Sequence, residues 1–253
     1  MSRYTAPLAI RPAAAGPVID TAMVLAAGFG KRMRPLTAST PKPLIHVADR
    51  ALLDHTLDRL RDGGVSKAIV NVHYLADAIE AHLARCTGDI AITVSDERAQ
   101  LLETGGGVVK ALPLIDADPF FVVNSDTLWI DGPSDALRLL AARWDDEAMD
   151  ALLLVVAHAR AHCHKGRGDF HMDARGRIKR RGRGKVAPFV YCGIQLVSKR
   201  LFEGAPDGPF STNILWDRAI ESGRAFGLAH QGMWFDIGTP PAIKKAEALL
   251  IDG

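Results

Sequence analysis

Short apolar runs alternate along this chain with longer stretches in which apolar residues recur every three or four positions. Residues 22–27 (AMVLAA) form the first run, and its exit through Gly28-Phe29-Gly30 predicts a buried parallel strand leaving a sheet by a glycine turn. Residues 52–62 carry Leu53, Leu57 and Leu60 at helical spacing and are closed by Gly63-Gly64, after which KAIVNV at 67–72 predicts a second strand. A helix over 76–84 and a strand over 90–95 follow, so the opening part reads βαβαβ with short links.

The same alternation continues with a helix over 106–112, the strand FFVVN at 120–124, a helix over 135–143 and a strand over 151–156. The FFVVN strand ends in Asn124-Ser125-Asp126, and polar residues at the carboxyl end of a buried parallel strand are where open α/β sheets place their chemistry. Beyond Val156 the pattern loosens into histidines, glycines and bases. Residues 169–181 predict a hairpin turned at Asp173-Ala174-Arg175-Gly176, 190–197 a strand, 212–223 a helix ended by glycine, and 241–250 a closing helix begun by proline. Residues 1–20, rich in Ala and Pro, lack this patterning and read as an extension ahead of one domain at 21–253, without repeat or linker.

Composition narrows the class. With 48% hydrophobic residues in 253, the chain can fill the core of one sizeable α/β domain or two small ones, which excludes a disordered chain. Lys and Arg total 31 against 29 Asp and Glu, and a net charge of +2 gives no whole-molecule pull toward nucleic acid or membrane. No window approaches the roughly 20 apolar residues of a membrane span, and the first residues lack the apolar core of a secretory signal. Cys86, Cys163 and Cys192 are odd in number with no C-x-x-C spacing, which argues against a disulfide framework or zinc knuckle and fits a cytoplasmic protein.

The candidate chemistry begins at Gly28-Phe29-Gly30-Lys31-Arg32-Met33-Arg34-Pro35-Leu36-Thr37, followed by Pro41-Lys42-Pro43-Leu44. Glycines let backbone N–H groups approach phosphate oxygens and the bases neutralise their charge, although a glycine turn with solvated bases has the same composition. Neither common nucleotide loop fits: a Walker loop needs Ser or Thr where Arg32 stands, and a dinucleotide loop needs Gly where Met33 stands. That mismatch also argues against a nicotinamide dehydrogenase.

The whole string resembles the N-terminal signature of the sugar-phosphate nucleotidyltransferases. The resemblance runs through most of 22–250, because Leu102-Glu103-Thr104-Gly105-Gly106-Gly107, Asn124-Ser125-Asp126, Gly166-Arg167-Gly168-Asp169-Phe170, Cys192-Gly193-Ile194 and Trp234-Phe235-Asp236-Ile237-Gly238-Thr239 fall in the family's order. It implies a Rossmann-like, mixed but mostly parallel sheet flanked by helices, the nucleotide-diphospho-sugar transferase fold, with no C-terminal β-helix. It also implies an enzyme that transfers a nucleoside monophosphate from an NTP to a sugar 1-phosphate and releases pyrophosphate with Mg²⁺. The Glu103–Gly107 and His164–Phe170 runs are most similar to a short bacterial branch using UTP and N-acetylmuramic acid 1-phosphate, in cell-wall (peptidoglycan) recycling; GTP with mannose 1-phosphate is the alternative.

By the same resemblance, Asp126 and Asp236 bind Mg²⁺, Arg32 and Lys31 hold the leaving pyrophosphate, and Lys42 neutralises charge near the α-phosphate. Ala26, Ala27, Gly28 and Gly30, together with Glu103, Thr104 and Gly105, take the nucleotide, while Asn124, Asp169 and Glu103 face the sugar. Where the wider family often has Asn, this chain has Cys192. Each aspartate taken alone also reads as a turn residue, and the three glycines as the opening of a helix.

Other signals weigh less. Residues 175–185 put seven cations in eleven residues with no acid, but without interleaved aromatics they read as a solvated hairpin rather than an RNA or membrane surface. His158, His162, Cys163 and His164 suggest a soft-metal site, yet they follow a strand in a segment that reads as a loop. The expected state is a monomer or small homo-oligomer. The competing class is a non-catalytic sugar-nucleotide sensor, against which the presence of Asp126, Asp236, Arg32 and Lys42 speaks.

Overall fold

The computed structural model describes residues 16–85 and 88–251. Cys86 and most of the expected N-terminal extension lie outside the described residues; residues 16–20 lead into the sheet, with Ile19 buried and the Asp20 carbonyl accepting from the amides of Ser66 and Lys67.

In chain order the elements are β1 (Thr21–Leu25), β2 (His46–Val47), β3 (Arg50–Ala51), α1 (Leu52–Asp62), β4 (Lys67–Val72), α2 (Ala76–Leu83), β5 (Ala91–Asp96), α3 (Glu103–Ala111), β6 (Phe120–Asn124), β7 (Thr127–Ile130) and α4 (Ala136–Arg143). They continue with β8 (Ala151–Ala157), β9 (Ala161–His162), β10 (Phe170–Met172), β11 (Ile178–Arg180), β12 (Phe189–Val197), α5 (Asn213–Glu221), β13 (Ala225–Ala229), β14 (Met233–Asp236) and α6 (Pro240–Ile251). Short 3₁₀ turns at Lys31–Met33 and Lys42–Leu44 carry the bases of the glycine loop.

β1 lies at the centre of the large sheet, parallel to β4 on one side and β6 on the other, and β5 runs parallel beyond β4. β12 pairs antiparallel with β6 and β8, making the sheet mixed, and the β10–β11 hairpin joins it at Phe189. Chain order therefore reverses at β1, and the crevice at its carboxyl end is a topological switch point.

The continuous apolar runs follow from burial on both faces. Val24, Val70, Val123 and Leu154 point into one core with α1, α2 and α4, while their neighbours Met23, Ile69, Val122 and Leu153 point into the other with α3 and α5. A third, smaller core joins Met33 of the glycine loop to Leu128, Phe235, Ile237 and Ala246 beneath the sheet β7-β14-β9.

Some boundaries and elements differ from the sequence expectations. α3 starts at Glu103 rather than at residue 106, because its three glycines serve contact and not chain-breaking: a Cβ at Gly105 would strike the Phe210 ring, and one at Gly106 the Gly208 carbonyl. The histidine-rich segment is not simply a loop, since β9 pairs with β14 there. β7 and β13 have no counterpart in the sequence reading. Among the described residues no helix is long and apolar enough to cross a membrane.

Candidate active site

The carboxyl ends of β1, β4 and β6 open into a cavity of about 460 Å³. Its lining includes Ala26, Ala27, Gly28, Gly30, Lys31 and Arg32 from the glycine loop, Glu103 and Thr104 from the start of α3, and Asn124 and Asp126 after β6. The glycine loop turns at Gly30, which is left-handed at φ 60°; a Cβ there would lie 2.9 Å from both the Lys42 Cβ and the Thr37 Cγ2. That approach brings Lys42 against the loop, and Lys42 Nζ reaches Asp126 Oδ2 at 2.5 Å.

Asp126 and Asp236, remote in sequence, are brought together by strand pairing. In the β7–β14 ladder Asp236 stands opposite Thr127, the residue after Asp126, and both carboxylates line a second cavity of about 210 Å³ together with Arg32, Lys42 and Asn124. Asp236 accepts from His164 Nδ1 at 3.0 Å, which fixes its orientation, and the ring of His164 lies edge-on to His158 and tilted over Trp234. Gly238 lets Arg32 in: a Cβ there would meet Arg32 Nη1 at 3.0 Å and Asp236 Oδ1 at 2.9 Å.

A third cavity, of about 280 Å³, continues from Asn124 and Thr104 past Asp169 to Tyr191, Trp216 and Arg180. Asp169 is held by the Tyr191 amide at 2.9 Å. The Arg180 guanidinium lies 5.1 Å above the Phe170 ring and 5.5 Å above Trp216, anchored by Asp217 at 2.6 Å. Gly193 allows the wall to close, with φ 79° and no room for a Cβ beside Thr127 and Asn124. Cys192 is buried with its thiol pushed up by desolvation, and its carbonyl accepts from Trp234 Nε1 at 2.9 Å, so it braces the wall.

The expected residues thus fall along one cleft, with one exception and one qualification. Gly105 stands back from it: its N–H goes to the Phe210 carbonyl at 2.8 Å, so it packs the turn and does not face a base. The Ala26 N–H is likewise taken, by Asn71 Oδ1 at 2.7 Å. Asn71, Glu97 and the orienting role of His164 have no reading in the sequence; only Gly107, the last of the three glycines and the one that admits Asn71 and Glu97, hints that something passes close. The histidine and cysteine side chains face separate partners, His158 the Gly166 carbonyl, His162 the Phe235 ring, Cys163 the Ala242 carbonyl and His164 Asp236.

A glycine loop rich in cations, two carboxylates and an adjoining polar and aromatic pocket lie together at the switch point of an open α/β sheet, an arrangement suited to a nucleotide and a second phosphorylated substrate. The chain belongs to the family described as Nucleotidyl transferase, whose signature matches residues 21–180, and it is an enzyme of the sugar-1-phosphate nucleotidyltransferase type. It is 45% identical over 234 residues to the N-acetylmuramate alpha-1-phosphate uridylyltransferase of Caulobacter vibrioides, covering 91% of this chain and 97% of that one. The Mannose-1-phosphate guanylyltransferase catalytic subunit beta of Xenopus tropicalis is 27% identical over 226 residues, 87% of this chain and 61% of that one. The inositol-1-phosphate CTP transferase from T. maritima shares the fold, with a TM-score of 0.74 at 18% identity over 93% of this chain and 96% of that one.

Proposed function

We propose that this enzyme transfers the uridylyl group of UTP to N-acetylmuramic acid 1-phosphate in the cytoplasm, releasing pyrophosphate and feeding peptidoglycan recycling. The observation that carries the reading is the 45% identity to the Caulobacter uridylyltransferase, spread over nearly the full length of both chains, on a chain whose cleft holds Lys42, Asp126, Asp236 and Arg32 together. An oxygen of the sugar phosphate forms a bond to the α-phosphorus of UTP as the bond from that phosphorus to the β-phosphate oxygen breaks, and pyrophosphate leaves with the electron pair. The nucleophile is already anionic at neutral pH, so the residues position and neutralise without a general base.

Arg32 and Lys31, exposed at the mouth of the glycine loop, would take the departing pyrophosphate, and Lys42 the α-phosphate. Two carboxylates in one cavity suit hard Mg²⁺, which keeps few protein ligands and fills the rest with water and phosphate oxygens. Asp126 and Asp236 would hold it, and when bound it supplies charge neutralisation between the two phosphates.

Asp169 suits a sugar hydroxyl, and Arg180 offers the lactyl carboxylate a cation on an aromatic bed. Arg167, by contrast, turns its guanidinium to the Gly184 carbonyl. The deciding experiment is a matrix of UTP and GTP against N-acetylmuramic acid 1-phosphate and mannose 1-phosphate with pyrophosphate readout. A kcat/KM favouring GTP with mannose 1-phosphate by about tenfold would replace the substrates, and no turnover in any cell would favour the sensor.

A further inference from the structure

Glu97 is completely buried, yet no cation pairs with it among the described ion pairs. Its two carboxyl oxygens accept from different places: Oε1 from Asn71 Nδ2 at 2.7 Å, and Oε2 from the Leu102 amide at 3.0 Å. Asn71 in turn uses its Oδ1 to accept from the Ala26 amide at 2.7 Å. The chain of bonds therefore runs from the residue after β1, through the end of β4, to the residue after β5 and on to the residue before α3. Backbone bonds fix Glu97 itself, its N–H donating to the Val72 carbonyl at 2.8 Å and its carbonyl lying 2.8 Å from His73 Nδ1. Gly107 makes room, since a Cβ there would lie 2.8 Å from both Asn71 Nδ2 and Glu97 Oε1.

Ala26 and Glu103-Thr104, the residues at or next to the two ends of this relay, line the same cavity. We propose that Asn71 and Glu97 are positioning residues that set the spacing of the two jaws of the nucleotide pocket, and so its fit to the uridine of UTP; this rests on the cleft being the nucleotide site. The relay has a direction. Two N–H donors converge on position 97, and a carboxyl group alone offers an acceptor to each. In Glu97→Gln one donor meets an amide NH₂, and turning Asn71 over to help it sets NH₂ against the Ala26 N–H. In Asn71→Asp two carboxyl groups face each other. In the double variant every bond is satisfied again: the carboxylate introduced at position 71 accepts from the Ala26 amide and from the side-chain NH₂ introduced at position 97, whose amide oxygen accepts from Leu102.

The test is a double-mutant cycle on the full chain with UTP and N-acetylmuramic acid 1-phosphate, using the better pair from the substrate matrix if that differs. Each single variant is expected to raise the nucleotide KM by about tenfold or more, about 1.4 kcal/mol, with the sugar phosphate KM changed less than about twofold. The double variant is expected to return to within about threefold of the parent. Amide hydrogen exchange on the free protein should report faster exchange around Ala26 and Leu102 in the singles and restored protection in the double. Equal losses for both substrates, or protection restored without recovery of the nucleotide KM, overturn the positioning role. If the parent turns over no nucleotide while exchange follows the cycle, the nucleotide reading fails and the proposal with it; if exchange does not follow, the relay itself is wrong.

Discussion

Lys42 Nζ and Asp126 Oδ2 meet at 2.5 Å, so the cation of the Pro41-Lys42-Pro43 turn and the carboxylate after β6 hold each other in place across the cleft. The side chain of Lys42 is 11% exposed and that of Asp126 35%. Lys42 is mostly buried, but Asp126 keeps 35% of its side chain exposed, so taking its partner away leaves no carboxylate buried and unpaired. Lys42→Met should therefore leave the melting temperature nearly unchanged while lowering kcat by about 10²-fold or more, the range for removing a preorganised charge at a reacting phosphate. Comparable losses in melting and turnover would mean that the pair serves the fold.

Asp126→Asn and Asp236→Asn keep shape and remove charge from the two carboxylates that face one cavity. Each is expected to abolish most turnover with little change in far-UV circular dichroism, and to lose the Mg²⁺-dependent rise in melting temperature expected of the parent. Near-parent rates at saturating Mg²⁺ would remove that residue from the metal site.

Arg32 lies against Gly238 and beside Asp236, at the mouth of the glycine loop. Arg32→Ala should raise the KM for UTP and lower kcat while sparing the KM for the sugar phosphate. Steady-state kinetics showing an effect confined to the sugar substrate would reverse the assignment.

His230 is buried, and its Nε2 lies 3.1 Å from the Ile130 carbonyl and 3.2 Å from that of Met233. Burial pushes its pKa below the ordinary value, against the pull of those carbonyls and of Asp131. The unfolded chain then takes up a proton first as the pH falls below about 6.5, so stability declines from there until the folded pKa is passed. Asp131, whose pKa burial raises, works in the opposite sense at lower pH. The melting temperature should drop on going from pH 7.5 to about 5.5, and drop less in His230→Gln; equal slopes would rule His230 out as the cause.

What the sequence made legible follows physical lines. β6 is legible to the residue because both its faces are buried, so every position is apolar until Asn124, and β4 is nearly so, its buried run from Ala68 to Val72 broken only by Asn71. β7 and β9 escaped notice because they are short and owe their form to β14, a partner remote in the chain. In the site, Asp126 and Asp236 were named through the family pattern, but what joins them is a ladder that no local periodicity encodes. Asn71 and Glu97 are illegible for the opposite reason: a polar residue near the end of an apolar strand, and a glutamate among other charges, look ordinary until their side chains are seen to meet.

The pairing of β14 between β7 and β9 also bears on the order of events at the ribosome. Asp126 emerges with the early parallel strands, but its companion carboxylate comes only with β14, the strand on which β7 and β9 both pair. A nascent chain holding the glycine loop, Lys42 and Asp126 can thus fold much of its sheet and still lack the second carboxylate, so activity should switch on abruptly once β14 is in place and not accumulate along the way.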